Sequence, residues 1–377
     1  MTTNQPLLEV NHLAVDYLSE GATVHAVTDV NFTLRRGEIL GIAGESGCGK
    51  STLVYAITRL LGPLAEITAG EVLYHAASQP MTDGTPATLD LLRLSPKQLR
   101  LLRWSELAIV FQSAMNALNP LMTIGAQILD VLRTHQPEQR AAQRQQRAQD
   151  LLRMVGIAPD RLRAFPHELS GGMRQRAIIA IALALAPEII IMDEPTTALD
   201  VVVQREILLQ IMALREEQRF SVIFITHDLS LLLEIADRIA IMYAGRIVEM
   251  ADARALHEQP RHPYSYGMLN AFPTLHGPRR AMAGIPGAPP DLRAVPAGCA
   301  FHVRCPLAFA PCSSLLPALV SPPLAPNGAA PNGAAPNGAV ACHLYDAART
   351  AAAPPSNARF AAAYAAAFAS AQGTGGH

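Results

Sequence analysis

The chain has 377 residues, 50 % of them hydrophobic, with 30 basic and 31 acidic side chains and a formal net charge of −1. This length allows two domains or one large domain with appendages, and the balanced charge argues against an electrostatic nucleic-acid binder. The apolar run Ala177–Met192 is broken by Pro187 and Glu188 and falls short of the roughly 20 residues that cross a bilayer. The opening MTTNQPLLEV lacks the basic and long apolar regions of a signal peptide, so a cytosolic chain is expected, with any membrane role coming through a partner.

Residues 1–255 alternate strand-like and helix-like segments, which predicts an α/β fold with a mainly parallel sheet. Ile39–Ala43 reads as a buried strand that runs into GESGCGKST, Gly44–Thr52, and Ser51–Leu61 continues as a helix. Gly44-x4-Gly49-Lys50-Ser51 has the spacing of a phosphate-binding loop. Its glycines let successive N–H groups turn inward as an anion nest at a helix N-terminus. Lys50 adds positive charge for the β- and γ-phosphates and Ser51 a hydroxyl for Mg²⁺. The nucleotide-binding set is therefore Gly44, Glu45, Ser46, Gly47, Cys48, Gly49, Lys50, Ser51 and Thr52, with Cys48 read as a small space-filling residue. The bland alternative is a glycine-rich turn that holds nothing.

A mostly helical region is predicted over about 95–185, with the polar run Pro137–Asp150 as a solvated helix face. Within it, Ser170-Gly171-Gly172 of LSGGM sets two glycines after a serine at a helix start, a second phosphate-binding surface. Glu188–Met192 reads as another buried strand and Val222–Thr226 as a third. Asp193 at the end of the former is placed to hold Mg²⁺, and Glu194 is the candidate base for an attacking water. An acidic pair at a strand end can instead cap the next helix.

Beyond residue 255 the composition changes. QPRHPYSYGMLNAFP (259–273) is punctuated by proline, 278–296 is loop-like, and a cysteine-bearing segment, 299–343, contains repeated PNGAA units from 326. The Ala-rich end carries Phe360, Tyr364 and Phe368 at i, i+4 spacing. It reads as either a short amphipathic helix or a weakly ordered tail.

With LSGGM downstream of the phosphate loop, the chain resembles the ATP-binding subunits of ABC transporters. That resemblance implies an ABC-type P-loop fold with a mainly parallel sheet core, an antiparallel β subdomain and a helical subdomain. Residue by residue, it assigns Gln112 of VFQSAMNALNP to Mg²⁺ and partner sensing, and His227 of FITHD to the γ-phosphate. It assigns Asp200 of TTALD to communication across a dimer, and Tyr17 of LAVDY to adenine stacking. Gln112, Glu194 and His227 are the catalytic candidates, and Ser51, Gln112 and Asp193 the Mg²⁺ candidates. Ser170, Gly171, Gly172 and Asp200 would face the ATP of a second subunit.

RHPYSYGMLNAFP, IPGAPPDL (285–292), GCAFHVRCP (298–306) and ACHLY (341–345) narrow the resemblance to the oligopeptide/dipeptide and nickel importer group. The expected division is an ATP-binding domain over 1–257, a C-terminal extension over 258–346 and a flexible tail over 347–377. The implied partners are a second ATPase subunit, two transmembrane permeases and, indirectly, an extracytoplasmic solute-binding protein, with this chain at the cytoplasmic membrane face and no nucleic acid. Contact with the permeases is expected around 113–166. Di- or oligopeptides are the implied cargo, with nickel, glutathione or another small solute as alternatives. A soluble non-transport ATPase is the alternative of another class. Cys299, Cys305, Cys312 and Cys342 have five, six and twenty-nine residues between them. Four thiolates can hold a [4Fe–4S] cluster or zinc. The absence of the C-x2-C of common zinc ribbons favours the cluster, as proposed for some members of the family that the chain resembles, with packed free thiols as the remaining reading.

Overall fold

The structure, a computed structural model, describes residues 5–19, 21–80, 86–112, 117–197, 199–271, 284–321, 338–350 and 354–373. Strands β1 (Pro6–Ser19), β2 (Ala22–Arg35) and β3 (Ile39–Ala43) precede α1 (Lys50–Ile57), and β4 (Ala65–Pro80), β5 (Pro86–Asp90), α2 (Pro96–Leu102) and β6 (Leu107–Val110) come after it. Helices α3 (Ile124–His135), α4 (Ala141–Met154) and α5 (Gly171–Ala182) are next. Then β7 (Ile189–Asp193), α6 (Val201–Gln218), β8 (Ser221–Thr226), α7 (Leu229–Ile235), β9 (Arg238–Tyr243) and β10 (Arg246–Asp252) complete the central part. The C-terminal part adds α8 (Ala253–Glu258), α9 (Pro263–Leu269), β11 (Gly338–Val340) and α10 (Asn357–Gly373).

A seven-stranded sheet runs β11-β10-β9-β3-β8-β7-β6. The five strands from β9 to β6 are mutually parallel, and β10 and β11 join antiparallel at one edge. A second, antiparallel sheet runs β2-β1-β4-β5. The parallel strands are buried on both faces, which is why they read as continuous apolar runs. Along β7, Ile190 and Met192 pack among the helices while Ile189 and Ile191 pack towards the antiparallel sheet. Each such side chain removed from water contributes roughly 1.5–3 kcal/mol.

The sequence expectations for β3, β7 and β8 hold to within a residue. The helix predicted over Ser51–Leu61 ends at Ile57, because Arg59 takes a left-handed backbone, φ 52°, that no helix continues. The polar run before Asp150 lies largely on α4, whose Ala148, Leu151 and Leu152 are buried while its other face meets solvent. Among the described residues no helix is long and apolar enough to cross a membrane.

The extension is tied into the core. Strand β11 pairs Val340 with Glu249 of β10, and buried Glu249 accepts hydrogen bonds from the backbone N–H groups of Arg261 and His262, both at 2.8 Å. Burial pushes the Glu249 carboxyl up to about 7. The PNGAA units over 326–337 lie outside the described residues. In the Ala-rich end, 357–373 is a helix docked on α9. Phe360 and Tyr364 are buried there, Phe368 is partly exposed, and the Tyr364 hydroxyl donates to the Pro263 carbonyl at 2.8 Å. High alanine propensity forms the helix, and the aromatic pair at i, i+4 fixes it.

Candidate functional site

The C-terminal ends of β3, β8, β7 and β6 lie side by side because those strands are neighbours in that order. The loops that leave these strand ends therefore converge on one edge, where ligands bind in open parallel sheets. After β3 the chain turns through Gly47 and Gly49, with φ of 80° and 103°. A side chain at Gly49 would suffer both from that left-handed backbone and from collision with the Ala26 carbonyl. Lys50 is 5 % exposed. Its ammonium donates to the carbonyls of Gly44, at 2.8 Å, and Glu45, at 3.0 Å, so it lies across the loop's own nest. Cys48 is buried and burial pushes its thiol up, in keeping with a space-filling role. The Tyr17 hydroxyl lies 3.3 Å from that of Thr52, which brings β1 against the start of α1.

From β7, Asp193 is fully buried, and Ser51 Oγ donates to its Oδ1 at 3.1 Å. Burial raises its pKa. Its Oδ2 has no hydrogen-bond partner among the described residues. An orphaned carboxylate oxygen beside a serine hydroxyl is a donor set that fits a hard cation such as Mg²⁺. Burial and the neighbouring Asp193 push Tyr55 up to about 12.

Glu194 adopts a left-handed backbone, φ 45°, while its N–H donates to the Ile225 carbonyl at 2.9 Å. For a non-glycine residue this costs roughly 1–3 kcal/mol. It aims the carboxylate at three neighbours. Gln112 Nε2 and Thr197 Oγ1 donate to Oε2, each at 3.1 Å, and His227 Nδ1 is 3.2 Å from Oε1. The structure thus brings together Gln112, Glu194 and His227, three of the predicted residues, and adds Thr197, which the sequence reading missed. Such a carboxylate can take a proton from a water, with the flanking groups orienting both.

Ser170 caps α5, accepting from the Met173 N–H at 3.3 Å, and Asp200 caps α6, accepting from Val203 at 3.0 Å. A Cβ at Gly172 would press on Val203 of α6. Among the described residues, no hydrogen bond or ion pair joins Ser170, Gly171, Gly172 or Asp200 to the phosphate loop of the same chain. The two predicted phosphate surfaces are separate.

Sequence reasoning also missed two residues of the extension. The Glu45 N–H donates to the Tyr264 hydroxyl at 2.9 Å, and Arg304 forms a two-pronged ion pair with the Glu45 carboxylate at 2.7 and 2.9 Å. Their signal in the sequence was their place in RHPYSYGMLNAFP and GCAFHVRCP, segments that by themselves point to no contact with the phosphate loop.

Cys299, Cys305, Cys312 and Cys342 are free thiols and line one small pocket. Buried His262 Nε2, which has no hydrogen-bond partner among the described residues, belongs to a ring in the same lining. The arrangement of these residues does not by itself support the expected [4Fe–4S] or zinc site. Among the described residues no group of three or more His, Cys, Asp or Glu stands where it would hold a metal. Thiols and an imidazole nitrogen are the donor types that a soft metal takes. Burial pushes the thiols of Cys299 up to about 11 and of Cys305 to about 12, and also raises that of Cys342.

Residues 27–197 match the ABC transporter family and residues 248–312 the oligopeptide/dipeptide transporter C-terminal region. The dipeptide transport ATP-binding protein DppD of Bacillus subtilis is 41 % identical over 317 residues, 83 % of this chain and 90 % of that protein. The oligopeptide transport ATP-binding protein OppD of Salmonella typhimurium is 42 % identical over 313 residues, 82 % and 89 % respectively. Among solved structures, the ATP-binding cassette MJ0796, a dimer in a post-hydrolysis state bound to ADP and Pi, superposes with a TM-score of 0.55 at 28 % identity. The match covers 66 % of this chain and 99 % of that one.

Proposed function

The chain belongs to the ATP-binding subunits of oligopeptide/dipeptide ABC transporters, and from that premise we propose that it binds and hydrolyses ATP at Gly44–Thr52 to drive a peptide importer. Support comes chiefly from one geometric fact, the carboxylate of Glu194 held between Gln112, Thr197 and His227 at the sheet edge that carries the phosphate loop. In this reading the loop's N–H groups and Lys50 bind the phosphates, Tyr17 meets the base, and Ser51, Asp193 and Gln112 would hold Mg²⁺. A cation bound there supplies charge neutralisation at the β- and γ-phosphates. Glu194 takes the proton of the attacking water while His227 and Gln112 orient it.

Ser170, Gly171, Gly172 and Asp200 act on the nucleotide of a second ATPase subunit. The Ser170 Oγ accepts from Met173, which leaves its hydrogen to donate to a phosphate, and the N-terminus of α5 adds N–H groups there. Nucleotide would then close the pair, and closure would drive two permease subunits at the cytoplasmic face of the membrane. The names of the relatives favour di- and oligopeptides as cargo. Co-expressed with the permease genes beside its own, the full chain is expected to co-purify with them and to show ATPase activity stimulated by peptide-loaded binding protein. Full ATPase activity with no association with any membrane subunit would favour the soluble-ATPase reading.

The four extension cysteines are proposed as a soft-metal site, a [4Fe–4S] cluster before zinc, that tightens around the group when loaded. The convergence of four free thiols and the orphaned His262 nitrogen on one pocket supports this. Anaerobically purified protein is expected to absorb near ~400 nm and to contain iron. If it shows neither, these residues are packed thiols.

A further inference from the structure

The phosphate loop carries an acid of its own. Glu45 comes directly after Gly44, and its side chain is 28 % exposed. A carboxylate at that point opposes an incoming polyphosphate unless a cation balances it. The cation comes from the other end of the chain. Arg304 lies 259 residues away in sequence, its side chain 4 % exposed.

All five of its N–H donors are engaged. Nη1 donates to Glu45 Oε2 at 2.7 Å and to the Tyr243 hydroxyl at 3.3 Å. Nη2 donates to Glu45 Oε1 at 2.9 Å and to the Gly287 carbonyl at 3.4 Å, and Nε to the Pro286 carbonyl at 2.8 Å. The guanidinium also lies over the rings of Tyr243 and Phe301, 5.8 and 5.9 Å from their centroids. Tyr243, Tyr264 and Phe301 pack on one another with centroids 4.6–5.3 Å apart, and Tyr264 also takes the Glu45 N–H. The extension therefore grips both the backbone and the side chain of one loop residue. Planar, bidentate pairing of this kind fixes orientation as well as charge.

We propose that Arg304 is a positioning residue for nucleotide: it neutralises Glu45 and turns that carboxylate away from the phosphate nest, making the C-terminal extension part of the ATP site. The inference rests on Gly44–Thr52 being the ATP phosphate loop. The strand ending at Ala43 and the loop glycines set where the N–H groups point, while Arg304 sets the charge they work against.

The test is a fluorescent-ATP (mant-ATP) titration with Mg²⁺ on the full chain, with melting temperature followed in parallel. Arg304→Gln, which removes the charge and keeps a shorter amide whose NH2 can take over the Nε donation to Pro286, is expected to weaken binding by about tenfold, a change equivalent to roughly 1.4 kcal/mol. Arg304→Lys should retain most of the affinity. The decisive variant is Arg304→Gln with Glu45→Gln, which is expected to regain most of the lost affinity because no unbalanced carboxylate is left. A purely structural arginine would not be rescued that way. Affinity of Arg304→Gln within twofold of the unsubstituted chain, or no recovery in the double variant, overturns the proposal. Failure of the unsubstituted chain to bind mant-ATP would instead overturn the phosphate-loop reading on which it rests.

Discussion

Glu194→Gln is expected to bind ATP with nearly native affinity, to accumulate as a closed, nucleotide-bound pair and to lose turnover by about 10²–10⁴-fold, the usual contribution of a positioned general base. The amide matches the carboxylate in size. It can still accept from Gln112 and Thr197, which lie 3.1 Å from Oε2, so the local packing and the left-handed backbone survive. What disappears is basicity, together with the charged partner of His227 at 3.2 Å. Binding and hydrolysis therefore separate. Phosphate release in a single turnover should collapse while size-exclusion chromatography with ATP shows the dimer. Native turnover in this variant would remove Glu194 from the role of base.

Lys50→Ala should act one step earlier. The Lys50 ammonium is the cation of the loop, buried and held by two carbonyls at 2.8 and 3.0 Å. Binding would draw it from those carbonyls to the β- and γ-phosphates. Its removal takes away the phosphate charge and leaves the Gly44 and Glu45 carbonyls without their partner. Truncating one member of a desolvated charge pair costs roughly 2–5 kcal/mol, so nucleotide affinity should fall by at least about thirtyfold and ATP-driven dimerisation with it. Calorimetric titration with Mg-ATP reads this directly. Unchanged affinity would mean that the phosphates lie elsewhere. The pattern across the two variants is diagnostic: Lys50→Ala loses binding and hence turnover, Glu194→Gln turnover alone.

The parts of the site that were legible in the sequence are the short-range ones. A glycine-spaced loop between a strand and a helix, an aspartate closing an apolar strand, and Ser170 at a helix start each depend on a few neighbouring residues. Their backbone geometry is decided by local sterics and hydrogen bonding, and so by residue type and spacing. Gln112 and His227 were reached only through resemblance, since a lone glutamine or histidine has no local signature.

Tertiary packing set the remainder, because it concerns groups far apart in the chain. The order β3-β8-β7-β6 puts Gln112 against Glu194 across 82 residues, and Ser51 against Asp193 across 142. The docking of α10 on α9 and the convergence of the four cysteine thiols on one pocket depend on which surfaces are left to cover, and composition does not encode that. The same holds for Arg304 at Glu45, across 259 residues. Residue order alone was enough to specify a phosphate loop and the kind of chemistry beside it. That the loop's own acid is balanced from the far end of the chain came from the fold, since an ion pair forms where packing brings two charges together and no spacing rule reaches that distance.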